Sequence, residues 1–178
     1  VYRWTLMIYE RDFEAAIKFL DDWSDDPLDV ANWSRFYAST YLRAGQPELA
    51  RPYLESAHEL LTQQIADPSN PTAKSRRLIR LANVTALLGE FDEARRIADE
   101  AMAMRYPDEP LITRGFLWQA AIGVHIPAGD YDRAIELLDE YFAAPVGWTF
   151  AGLSREPLLD PIRDHPGWLA LIEKYKRQ

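Results

Sequence analysis

The sequence predicts an all-α fold: a short right-handed α-solenoid of about four helix hairpins, closed by a C-terminal capping segment. Three observations predict it. A short phrase recurs four times along the chain, apolar residues follow each copy at helical spacing, and glycine or proline stands where helices should end or begin.

The phrase is a turn, usually an aromatic residue two positions later, and an alanine five positions after the turn. It occurs as Gly89, Phe91 and Ala94, and again as Gly129, Tyr131 and Ala134. A weaker copy is Gly45, Pro47 and Ala50, and the first is Arg11, Phe13 and Ala16. The turn positions are separated by 34, 44 and 40 residues. Each copy reads as helix, tight turn, helix: glycine admits the positive φ that ends the first helix, and alanine lets two helix axes approach. Larger residues continue each buried stripe: Leu20 and Trp23, Leu54 and Ala57, Ala98 and Ala101, Leu138 and Tyr141. Leu78, Leu81 and Ala82 precede Gly89, and Trp118, Ala121 and Ile122 precede Gly129, as first helices require. Helix starts are marked by Asp29, by Pro71 and Thr72, by Asp108 with Pro110, and by Pro47. Trp23, Trp118 and Tyr141 are expected in the core, and Trp148 and Phe150 folded onto the last unit. These signals give an array over residues 1–144, in units of about 2–23, 29–66, 73–104 and 110–143. A loop and capping helix of the same domain follow over 145–178, with Trp168, Leu169, Leu171, Ile172 and Tyr175 covering the apolar end.

Composition narrows the function. The chain has 178 residues and no cysteine, so disulfides, thiol nucleophiles and cysteine-ligated metals are excluded. Its histidines, His58, His125 and His165, lack ligand spacing. No nucleotide-binding glycine loop, metalloprotease motif or nucleophile elbow is present. Paired acids such as Asp99 and Glu100 point apart on a helix and read as solvated faces. We therefore expect no enzyme, no metal and no cofactor. A net charge of −8 disfavours direct nucleic-acid binding, and no apolar run is long enough for a membrane contact by spanning. Charge is uneven: −5 over residues 1–30, +3 over 31–89, −7 over 90–144 and +1 thereafter.

The hairpin phrase resembles the tetratricopeptide (TPR) repeat, a 34-residue helix–turn–helix. The match is good around Gly89 and Gly129, fair around Gly45, and partial around Arg11, which replaces the usual glycine. The longer spacings imply an extended helix from Pro47 to about Asp67, and Pro52 falls inside it. The chain opens at Val1, already within a first helix, which we read as a piece of a longer protein. The tail residues Leu159, Asp160, Pro161, Ile162, Arg163, Pro166, Trp168 and Leu171 are similar to the segment that closes the TPR regions of bacterial class III adenylate cyclases and winged-helix transcription regulators. That resemblance implies the C-terminal part of a larger bacterial signalling or regulatory protein, in the cytoplasm, or in the periplasm if a membrane span precedes Val1.

In TPR arrays the first helices line a groove that takes a protein or peptide. Counting back from each turn places Thr5 and Ile8 on that face, then Asn32, Arg35, Ser39 and Arg43, then Arg76, Ile79, Arg80 and Asn83, then Phe116, Gln119 and Gly123. The arginines favour an acidic partner, because a guanidinium binds carboxylate in a bidentate way. Arg76 and Arg80 fall on two positions of the carboxylate clamp found in chaperone-binding TPR domains, whereas Phe36, Thr5 and Val1 depart from it. The expected function is a non-enzymatic interaction module with a peptide-binding or self-associating groove. The alternative is a sensor that binds a small molecule there and regulates an attached cyclase or DNA-binding domain. The repeat frame makes one prediction about stability: Ala94→Leu or Ala134→Leu overpacks a helix pair and costs about 1–3 kcal/mol. Thermal melting identical to the parent would show the frame to be wrong.

Overall fold

The computed structural model of the protein describes residues 2–22, 30–66, 74–104, 110–144, 153 and 155–175. These residues are helical with no strand among them, and the chain divides into two units, Val1–Ala66 and Asp67–Gln178. The first unit holds α1 (Tyr2–Tyr9), α2 (Phe13–Asp21), α3 (Val30–Arg43) and α4 (Pro47–Ala66). The second holds α5 (Lys74–Leu87), α6 (Phe91–Ala103), α7 (Leu111–His125) and α8 (Tyr131–Ala143). A 3-10 helix (Pro157–Ile162) and α9 (Pro166–Tyr175) complete it. Within each unit, consecutive helices pair as antiparallel hairpins and neighbouring hairpins touch: α2 against α3 in the first, α5 and α6 against α7 in the second.

One turn geometry serves all four hairpins. Arg11, Gly45, Gly89 and Gly129 adopt φ of 59°, 72°, 92° and 73°. In each, the amide of the left-handed residue donates to a carbonyl three residues back, and the next amide reaches five back. Thus Gly89 N donates to Ala86 O at 3.0 Å and Glu90 N to Thr85 O at 3.1 Å, and Arg11 N to Ile8 O at 3.1 Å and Asp12 N to Met7 O at 2.9 Å. This double closure satisfies carbonyls that the helix end would leave open. The residue after the turn then starts the second helix, its carbonyl accepting from the repeat alanine in every copy: Ala16, Ala50, Ala94 and Ala134, at 3.0–3.3 Å. Those four alanines are all 0% exposed. A larger side chain has nowhere to go where the two helices cross.

The stripe continues as the spacing requires, with Leu20, Leu54, Ala57, Ala98, Ala101, Leu138 and Tyr141 buried. Trp23, Trp148 and Phe150 lie outside the described residues, as do Asp29, Pro71, Thr72 and Asp108. Helix α7 is preceded by Pro110, whose carbonyl accepts from Thr113 N at 2.8 Å. α4 runs through Pro52 without ending; the ring sits on the exposed side, so the amide it lacks is the main local loss. In the first unit Tyr37 joins the aliphatic core, stacking on half-buried Tyr53 at 4.9 Å, and Tyr37 Oη donates to Asp21 at 2.7 Å. Trp118 departs from its expected core position. It is half-buried, with Nε1 donating to Glu140 at 2.9 Å, because an indole N–H needs a partner that the rim of α8 supplies.

The tail packs on the last hairpin. Leu159 and Ile162 of the 3-10 helix and Trp168, Leu171 and Tyr175 of α9 are buried. Leu169, expected to join them, is 50% exposed, since its position turns it off the α8-facing stripe. Gly167 admits close approach: a Cβ there would lie 3.0 Å from Ile135 of α8. Beside it, Asp139 of α8 accepts from Lys174 Nζ at 2.6 Å and from Tyr175 Oη at 2.6 Å. His125 is also buried, with Nδ1 2.9 Å from Asp130 Oδ2 across the fourth turn.

The turns and the cap can each be tested. Arg11 carries a left-handed backbone that glycine adopts freely, so Arg11→Gly should stabilise by about 0.5–1 kcal/mol in urea unfolding. Gly89→Ala should destabilise by about 1 kcal/mol through φ alone, no atom lying within 4 Å of the new Cβ. The cap is tested at Asp139, whose carboxyl is held below the usual carboxylate value of 3.8 by the Lys174 hydrogen bond first and the Tyr175 hydrogen bond next. A lowered folded pKa gives stability that is full above the ordinary carboxylate range and lost as pH falls through the lowered value. The gap in melting temperature between the parent and Asp139→Asn should therefore shrink on acidification from pH 3.8 downward. A gap independent of pH would contradict this.

Candidate functional site

Helix α5 opens Lys-Ser-Arg-Arg and carries no acid. Its basic residues fall on different faces. Lys74 pairs with Glu100 of α6 at 3.8 Å. Arg76 and Arg80, one turn apart, turn toward α7 and line an open recess of about 200 Å3 together with Ile112, Thr113 and Phe116. Arg76 is exposed and forms no ion pair with a described residue. Arg80 is half-buried, its guanidinium carbon 5.5 Å from the Phe116 ring centroid, a cation–π contact that holds the charge at the floor of the recess. Among the described residues no acidic side chain lines it.

The two helices are held together one to two turns further on. Asn83 Nδ2 donates to Ala120 O at 3.2 Å, and Gly123 leaves the room for it: a Cβ at 123 would lie 2.4 Å from that nitrogen. Arg114, on another side of α7, donates from Nη1 to Met102 O at 3.1 Å and lies over Trp118. One face of α7 thus ties the helix into the fold, and the turn carrying Ile112 and Phe116 stays open.

The residues expected on a single lining separate into groups. Arg76, Arg80 and Phe116 share the recess. The Asn83 amide bridges α5 to α7, and Gln119 Nε2 donates to Tyr141 Oη at 2.8 Å, so both amide nitrogens serve helix packing. Ile79 is 0% exposed, Ile8 is 1% exposed and Gly123 is buried. These three, expected on the open face, are instead buried, because a first helix also packs against its neighbours outside the hairpin, as Gly123 of α7 does against Asn83 of α5. In the first unit, Arg35 lies over Phe36 at 5.0 Å, and Arg43 Nη1 donates to the Ser39 hydroxyl and, at 3.3 Å, to the Ser39 carbonyl. The Asn32 side chain lies outside the described residues. Ile112 and Thr113 lie beyond the reach of counting back from the turn, which stops at Phe116. A signal for them exists in the sequence: Ile112 is one turn before Phe116, in the register that Arg76 has to Arg80.

Among the described residues no three His, Asp or Glu side chains converge as metal ligands, and no helix is long and apolar enough to cross a membrane. The chain has no significant match among curated proteins or among solved structures. Residues 29–106, which run from α3 through α6, match the family model of the tetratricopeptide repeat, and that match together with the four-fold turn gives this chain an all-α fold of TPR-type hairpins.

Proposed function

We propose that the protein is a non-enzymatic interaction module and that the recess between α5 and α7 receives an acidic peptide segment of a partner. Tetratricopeptide repeats generally mediate protein–protein interaction and are typically non-catalytic. The observation that carries the reading is the Arg76–Arg80 pair, two cations one turn apart in a solvent-open recess with no acid among its described lining residues. Carboxylates satisfy such a pair with charge-assisted hydrogen bonds. A sensor pocket for a small molecule would call for an enclosed cavity of about 300 Å3 or more; this one is about 200 Å3 and open. The tail phrase from Leu159 to Leu171 supports placing the module in a larger signalling or regulatory protein.

The double variant Arg76→Glu, Arg80→Glu tests the site. It should keep the helical circular-dichroism spectrum of the parent and abolish binding of a labelled polyglutamate peptide measured by fluorescence anisotropy. Undiminished binding would remove the assignment.

A further inference from the structure

One residue serves the first turn of the capping helix α9. Pro166 brings no amide, Gly167 N donates to His165 Nδ1 at 3.2 Å, and Leu169 N donates to His165 O at 3.1 Å. His165 is therefore the N-cap of α9, with a ring nitrogen where a hydroxyl or carboxylate oxygen usually stands. Asp12 caps α2 and Glu156 caps the 3-10 helix with carboxylate oxygens. A nitrogen that accepts carries no proton, so the neutral His165 ring bears its hydrogen on Nε2. Nε2 stands 3.6 Å from Asp132 Oδ1 of α8, and the ring meets Tyr131 edge to face with centroids 6.3 Å apart.

An imidazole in water takes up a proton at about pH 6.5. Protonation of His165 would put a hydrogen on Nδ1, against the Gly167 amide, and turn the cap's acceptor into a donor. It would also set a positive charge at the positive end of the α9 dipole. The groups around the ring give little back. From α8 these are Tyr131 and Asp132, whose side chain is 92% exposed. Nε2 carries its hydrogen in both forms, so Asp132 adds only a solvent-screened attraction. In the preceding turn Arg163 is bound to Asp160 at 2.8 Å, and Asp164 is exposed. The first turn of α9 has no acid, and Lys174 at its far end is held by Asp139. As an equilibrium factor, a side-chain cap is worth about fivefold and a charge at the unfavourable helix end about twofold. A pair as exposed as His165 with Asp132 returns about twofold. We propose that His165 is a proton-sensitive latch: neutral, it caps α9 against the last hairpin; protonated, it lets the helix loosen and uncovers Trp168, Leu171 and Tyr175.

The test is amide hydrogen exchange on the 178-residue chain about one unit above and one unit below pH 6.5, each rate divided by its intrinsic value at that pH. Protection of the Leu169–Tyr175 amides, taken against that of α5, should fall about fivefold at the lower pH. His165→Asn, with folding checked by circular dichroism, supplies a capping oxygen that does not titrate and should keep full protection at both pH values. His165→Ala should show the lowered protection at both. In the parent, the nitrogen chemical shifts of the His165 ring should report the Nε2–H tautomer at the higher pH. Equal protection of the parent at the two pH values would overturn the latch. So would an Nδ1–H tautomer, or the same fivefold step in His165→Asn, which would place the titration elsewhere.

Discussion

A left-handed residue followed five positions later by a buried alanine is the constraint on which the rest of this structure depends. The positive φ at Arg11, Gly45, Gly89 and Gly129 reverses the chain within two residues and returns two carbonyls to hydrogen bonds. The second helix therefore starts close against the first, and the four repeat alanines have no exposed surface. Arg11 shows that the geometry matters more than the residue type. An arginine adopts the strained conformation there because the surrounding hairpin contacts over-determine it.

That constraint fixes which side chains remain for function. Close pairing inside a hairpin consumes one face of each helix, and contact with the next hairpin consumes another. In α5 this leaves Ile79 fully buried and commits Asn83 to the backbone of α7, and only the turn bearing Arg76 and Arg80 stays open. The same logic acts on α7, where Gly123 yields to Asn83, Gln119 is tied to Tyr141, and Ile112 with Phe116 face the arginines. The recess is therefore a by-product of hairpin stacking, and its chemistry is set by five side chains.

Charge organises the second unit as a whole. The stretch 90–144 carries a net −7, and several acids of α6 and α8 are paired locally, as Glu93 with Arg96 and Asp139 with Lys174. The helix without acids, α5, presents its arginines on a different face. A partner carboxylate approaching that face meets cations and an aliphatic side chain, and no acid among the lining residues opposes it.

By itself the sequence determined the repeat frame, the hairpin ends and the buried stripes, because each is written in local chemistry: glycine where φ is positive, alanine at a crossing, leucine at i+4. It also determined that arginine would stand at 76 and 80 on one helix face. Tertiary structure alone decided which lining residues stay open, since burial of Ile8, Ile79 and Gly123 depends on how closely neighbouring hairpins pack. It alone placed Ile112 opposite Arg76 and half-exposed Trp118 at the rim of α8, because the register between two helices follows from contacts that no spacing within one helix records.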